Sequence, residues 1–193
     1  MPISIGATQE SSFANPIGPL TDCHRRIERF LGVLVKVATE ASEGPLNAER
    51  RQAMEAALSY FQRAAPLHTA DEEEDLFPEL RRVERPDIEQ VVERVTRLQS
   101  EHLAATAWHR QVHELGERWL RQNYLLPHEA VELKSILTFL TELYRGHIAV
   151  EENEIFPVAE EALSAFEKEA IGRRMAMRRG ARFIVGARNI ETY

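Results

Sequence analysis

An eleven-residue pattern occurs twice in this chain of 193 residues. His68-Thr-Ala-Asp-Glu72-Glu73-Glu-Asp-Leu76-Phe77-Pro78 is matched position for position by His147-Ile-Ala-Val-Glu151-Glu152-Asn-Glu-Ile155-Phe156-Pro157, and both read His-x3-Glu-Glu-x2-[Leu/Ile]-Phe-Pro. On a helix, residues four apart share one face and lie about 6 Å apart along the axis. That separation lets an imidazole nitrogen and a carboxylate reach one metal centre. Two copies predict two facing helices that share a site at the middle of a bundle.

The remaining sequence supplies a helical frame. Leu20, Ile27, Phe30, Leu31, Leu34, Val35 and Val37 recur with helical period from about Leu20 to Ala41, and Gly44-Pro45 provides the stop. Pro16 and Pro19 argue against an earlier start. Asn47 is placed to cap a second helix with a stripe at Met54, Ala57, Leu58, Phe61 and later Leu76. Pro66 should kink or restart it near His68, and Pro78 should end or bend it again. A third helix is predicted from about Asp87 to Arg121 and a fourth from near His128 through His147, with Gly146 allowing close helix approach. Helical composition continues to about Phe166. Residues 171–193 carry Arg173, Arg174, Arg178, Arg179, Arg182 and Arg188 against Glu191, which reads as a short fifth helix and a less regular tail. Strand signals are scarce. The expected fold is all-α, an antiparallel up-down-up-down four-helix bundle with an additional C-terminal helix. Its parts are an N-terminal arm (1–18), the bundle (19–165) and a basic helix or tail (166–193).

Composition excludes several classes. A net charge of −7 argues against nonspecific nucleic-acid binding. No apolar run approaches the length of a membrane span, and the first residues lack the basic and apolar regions of a secretory signal. The single cysteine, Cys23, excludes an internal disulfide and suits a reducing cytoplasm.

The paired motifs resemble those of the hemerythrin-like, HHE cation-binding family. In that family each half of the bundle supplies one His from a first helix and a His-x3-Glu from a second. The resemblance therefore implies a lone His upstream of each repeat. His24 stands 44 residues before His68, and His102 stands 45 residues before His147. The implied metal ligands are His24, His68, Glu72, His102, His147 and Glu151. Imidazoles with carboxylates and no thiolate cluster suit iron, manganese or zinc, and the resemblance implies iron ahead of the other two. If both glutamates bridge, two iron ions would each receive two His and two carboxylate oxygens, with room for an oxide or hydroxide bridge and an exogenous ligand. The oxygen-carrying hemerythrins have a second His where this chain has Thr106, and an Asp five residues after the fourth-helix His where this chain has Glu151 at four. Those departures disfavour simple reversible O2 carriage.

Two functions follow from the resemblance. One is a di-iron centre that binds or reduces O2, peroxide or NO; the other is an iron, oxygen or NO sensor or iron-handling module without turnover. Whether the chain is an enzyme stays open between them. The C-terminal tail offers a surface for a protein partner or a second copy, or a cover for the chain's own acidic face. Glu28, four residues after His24, is a further candidate carboxylate. His109 and His113 lie too far along the third helix for the same site and read as core or access-path groups. His128 reads as a helix-start residue and Tyr60 as a core or pocket residue. Glu73 and Glu152 either face solvent or orient a ligand His from a neighbouring helix.

Overall fold

The computed structural model describes residues 12–42, 44–86 and 88–180. Most of the expected arm (1–11) and the tail residues Arg182, Arg188 and Glu191 lie outside the described residues. The described chain is all-helical, without strands.

Helix α1 spans Ile17–Ala41. It begins three residues before the expected Leu20, because Pro19 falls in the first turn, where no backbone N–H is needed. Helix α2 (Ala48–Arg63) starts at Asn47, whose side chain accepts from the Arg50 N–H. At Pro66 the helix restarts as α3 (Ala65–Ala70), with the proline in its first turn. Residues Asp71–Leu76 then form a π-helical segment before α4 (Phe77–Leu80). Helix α5 runs Ile88–Gln122 and α6 Pro127–Val150. A second π-helical segment, Glu151–Ile155, leads into α7 (Phe156–Ala162). The chain breaks at Leu163, and α8 (Ala165–Arg178) starts from a capping box of Ser164 with Glu167. The fifth helix thus begins one residue before the expected basic segment (166–193), since Ser164 offers both cap and stop.

Both π segments sit at the same place in the repeat, and both precede its proline. Pro78 and Pro157 cannot donate to the carbonyl four residues back. The ladder widens instead: the Phe77 N–H reaches the Glu72 carbonyl and the Phe156 N–H reaches the Glu151 carbonyl, each five residues back.

Helix α1 packs against α2 and α6, and α5 packs against the same two. The core divides into two apolar clusters. One holds Ile27, Leu31, Leu58, Ala105, Leu115, Trp119 and Leu140. The other holds Leu20, Leu76, Phe77, Leu98, Ile155, Phe156 and Met175. Along α1 the boundary falls at His24, and along α5 it falls at His102. A buried polar layer therefore crosses the bundle between two greasy ends. Asn123, in the left-handed region at φ 61°, ties two connections together by accepting from the Leu46 N–H and the Arg51 guanidinium. Gly146 is exposed and faces open space, so it serves no close helix approach.

Candidate metal centre

The six predicted residues form the core of the polar layer. His24, Glu72 and Glu151 are fully buried, and His68, His102 and His147 are nearly so. They fall into two groups, each compact enough for its ligand atoms to lie within 4.8 Å of one another: His24, His68, Glu72 and Glu151, and Glu72, His102, His147 and Glu151. The glutamates belong to both groups, and each turns one oxygen to each. Glu72 Oε1 lies 3.3 Å from His68 Nε2 and 3.9 Å from His24 Nε2, while its Oε2 lies 3.5 Å from His102 Nε2. Glu151 Oε2 lies 3.0 Å from His24 Nε2, while its Oε1 lies 3.1 Å from His147 Nε2.

Each repeat also orients the lone histidine of the opposite half. Glu152 meets His24 Nδ1 at 2.8 Å, and Glu73 meets His102 Nδ1 at 2.8 Å. Phe156 stacks on the His24 ring at 5.4 Å and Phe77 on the His102 ring at 6.5 Å. This exchange explains why the repeated unit extends past His-x3-Glu. Its second Glu and its Phe hold the partner half's imidazole, by a hydrogen bond at one edge and a ring on one face. Glu73 and Glu152 thus orient histidines from neighbouring helices.

One carboxylate of this kind escaped the sequence reading. Glu101 meets His147 Nδ1 at 3.0 Å. It directly precedes His102, and the corresponding position in the first half is Cys23. His68 Nδ1 accordingly has no hydrogen-bond partner. That asymmetry was available from aligning the two halves.

The donor chemistry fits a cation. With Nδ1–H donating to a carboxylate, the Nε2 lone pairs of His24, His102 and His147 face inward. His102 Nε2 and His147 Nε2 stand 3.0 Å apart, a contact that two lone pairs tolerate only with a proton or a metal ion between them. Both carboxylate oxygens of Glu72 and of Glu151 are buried without a hydrogen-bond donor. Buried polar atoms left unpaired in this number are costly, and a shared cation would satisfy them together.

The charges lean on one another. Burial opposes a proton on His24, but the Glu151 and Glu72 carboxylates outweigh it and raise the imidazole to about 10. Burial is likewise outweighed at His147, chiefly by Glu151, and its imidazole rises to about 9. Burial, with the His24 charge nearby, pulls His68 well below the usual imidazole range. Burial and then Glu151 push the Glu72 carboxyl well above the usual carboxylate range. The pocket thus collects positive charge between its two acids when only protons are present to supply it.

Other candidates lie elsewhere. Glu28 is half-exposed and pairs with Arg25 at 2.9 Å, away from the centre. Tyr60 stacks on Phe30 and lines a cavity of about 340 Å³ beside Cys23, whose thiol accepts from Arg26 at 3.2 Å. His128 is exposed in the first turn of α6. His109 bonds the Tyr144 hydroxyl at 2.8 Å, and both line a second cavity with His113.

The described part of the basic C-terminal segment covers the chain's own acidic surface. Arg178 reaches Asp71 and Asp75 at 2.5 and 2.8 Å, and Arg179 reaches Asp71 at 2.5 Å. Arg174 pairs with Asp75 and with Glu79. Asp71 and Asp75 belong to the π segment that carries Glu72, so α8 clamps the outer face of a site helix.

The hemerythrin HHE cation-binding domain pattern matches residues 15–159 of the chain. A protein of Haemophilus influenzae described as uncharacterized is 30% identical over 171 residues, spanning 89% of this chain and 94% of its own length. Among the described residues, no helix is long and apolar enough to cross a membrane. The match covers both repeats and both upstream histidines, the same residues that build the buried His/Glu layer, and the chain belongs to the hemerythrin HHE cation-binding domain family.

Proposed function

We propose that this protein carries a non-haem di-iron centre that binds or reduces O2, peroxide or NO. The observation that carries this reading is the sharing of Glu72 and Glu151 between two adjacent His-containing groups, with all four carboxylate oxygens buried and unpaired. His24 and His68 would hold one ion, His102 and His147 the other, and the two glutamates would bridge them. A pair of iron ions supplies one-electron redox chemistry and open positions for a small ligand.

The chain's residues supply the remainder. Glu152, Glu73 and Glu101 fix the tautomers of His24, His102 and His147 and raise their basicity as ligands. Phe156 and Phe77 cover two imidazole faces and keep water from them. Tyr144, one turn before His147, holds its hydroxyl on His109 at 2.8 Å, a proton-bearing pair next to the layer. The short connections at residues 42–47 and 123–126, with α1 and α5 each packed between α2 and α6, support an antiparallel up-down-up-down bundle. The lone buried cysteine supports a reducing, cytoplasmic setting.

The test is metal content with an absorption spectrum in oxidised and reduced forms, on protein made without iron limitation. Two irons per chain are expected, with charge-transfer bands that bleach on reduction; well under one metal per chain after reconstitution sinks the proposal.

A sensor reading has its own support in the grip of α8 on the π segment of Glu72, which would pass a change at the centre to the C-terminal segment. Catalytic consumption of peroxide or NO by the reduced protein favours turnover. A single binding event with a change of oligomeric state favours the sensor.

A further inference from the structure

A cavity of about 400 Å³ opens beside the metal layer, bounded by α2, α3, α5 and α6. It is far larger than a diatomic ligand requires: a water molecule's share of the liquid is only about 30 Å³. It falls within the roughly 300–1,000 Å³ that holds a small organic ligand. Along α5 it is lined from His102 to His113, roughly 16 Å of helix. Its shape is therefore a slot with the candidate centre at one end.

The walls are apolar where Leu58, Phe61, Ala105 and Val112 line them. His109 is fixed by its ring stack on Phe61 at 4.5 Å and by its bond to Tyr144. At the end away from His102, the His113 ring lines the slot. Arg110 lies beside it on the rim, exposed, with no ion pair among the described residues. The chain as a whole has 31 acidic and 24 basic residues, yet no described residue lining this slot is acidic. An apolar body with an anionic head matches that distribution.

We propose that the slot along α5 is a binding site for a small organic acid, its carboxylate held by Arg110 and His113 and its apolar body laid along Phe61 and Ala105 toward His102. The site goes beyond the diatomic and peroxide chemistry of the di-iron reading and rests on that reading only for the role of His102 as its inner wall.

The test is calorimetric titration of the full chain with octanoate and, as a neutral counterpart, octan-1-ol, with iron content measured on the same samples. Octanoate should bind saturably, one per chain. Ala105→Trp, which fills the slot, should weaken both probes by about ten-fold or more. Arg110→Ala, at an exposed position, should weaken octanoate by about five-fold and leave octan-1-ol unchanged. No saturable octanoate binding overturns the proposal, as does octanoate binding that neither substitution alters or an Arg110→Ala effect equal on both probes. Octanoate binding that responds as stated in protein that takes up well under one iron per chain after reconstitution supports the slot while removing the di-iron reading, so the two fail separately.

Discussion

Replacing Glu72 should change stability in opposite directions with and without metal. Both Glu72 oxygens are buried and unpaired, in a side chain with 0% exposure. Leaving a buried polar group unpaired costs about 1–3 kcal/mol. Burial and the neighbouring Glu151 raise the carboxyl well above 4.5 in the folded chain, so the fold resists its ionisation. For an acid with a raised folded pKa the penalty is absent below pH 4.5 and grows as pH rises through and beyond that value. Glu72→Gln keeps the shape and removes the charge. The metal-free variant should therefore be more stable than the parent by about 1–3 kcal/mol at neutral pH. With iron the order should reverse. A ligand that binds only the folded state adds about 2.7 kcal/mol at a hundred-fold excess over its Kd. A carboxamide offers one oxygen where the shared carboxylate offers two, so the variant should lose at least one iron and most of that gain. Urea unfolding of both proteins, with chelator and with ferrous iron under argon, yields the four stabilities. A variant less stable than the parent in both conditions, or one that keeps two irons per chain, refutes the sharing of Glu72.

Removing a carboxylate that holds a site imidazole, in Glu73→Ala or Glu101→Ala, should weaken metal binding by roughly 10–100-fold, read by competition with a chelator. Burial pulls His109 from 6.5 down to about 4, so its contribution to stability is complete above pH 6.5 and drains as pH falls toward 4, roughly 3 kcal/mol in all. His109→Phe should flatten that part of the stability profile of the metal-free protein, and an unchanged profile would show that the imidazole is not buried neutral. The double variant Arg178→Met, Arg179→Met leaves the Asp71 carboxylate buried without its partners and should cost about 3–5 kcal/mol in urea unfolding. The single Arg178→Met should cost less, because Arg179 and Arg174 still reach Asp71 and Asp75.

Much of the candidate site was legible because the motif is local. His68 with Glu72 and His147 with Glu151 are four residues apart, and helical geometry alone puts each pair on one face. Their recurrence, with His24 and His102 at matched distances upstream, follows from reading two halves against each other. Asn47 as a cap and Pro66 as a restart are likewise decisions taken within a turn of the chain. The π segments were not legible, because a widened turn differs from an α-turn by one residue of register and leaves the apolar stripe nearly intact. Glu101 was missed since the repeat does not mark it: its counterpart in the first half is Cys23.

The sequence by itself determined that the chain is helical, where its helices are punctuated, and which six side chains could meet. Tertiary structure alone decided that each repeat braces the other half's histidine, that α8 turns its arginines onto Asp71 and Asp75, and that an acid-free slot opens along α5. The division is physical. Backbone hydrogen bonding and side-chain period act over a few residues and can be read in order, whereas charge pairing, ring stacking and cavity shape depend on which helices become neighbours.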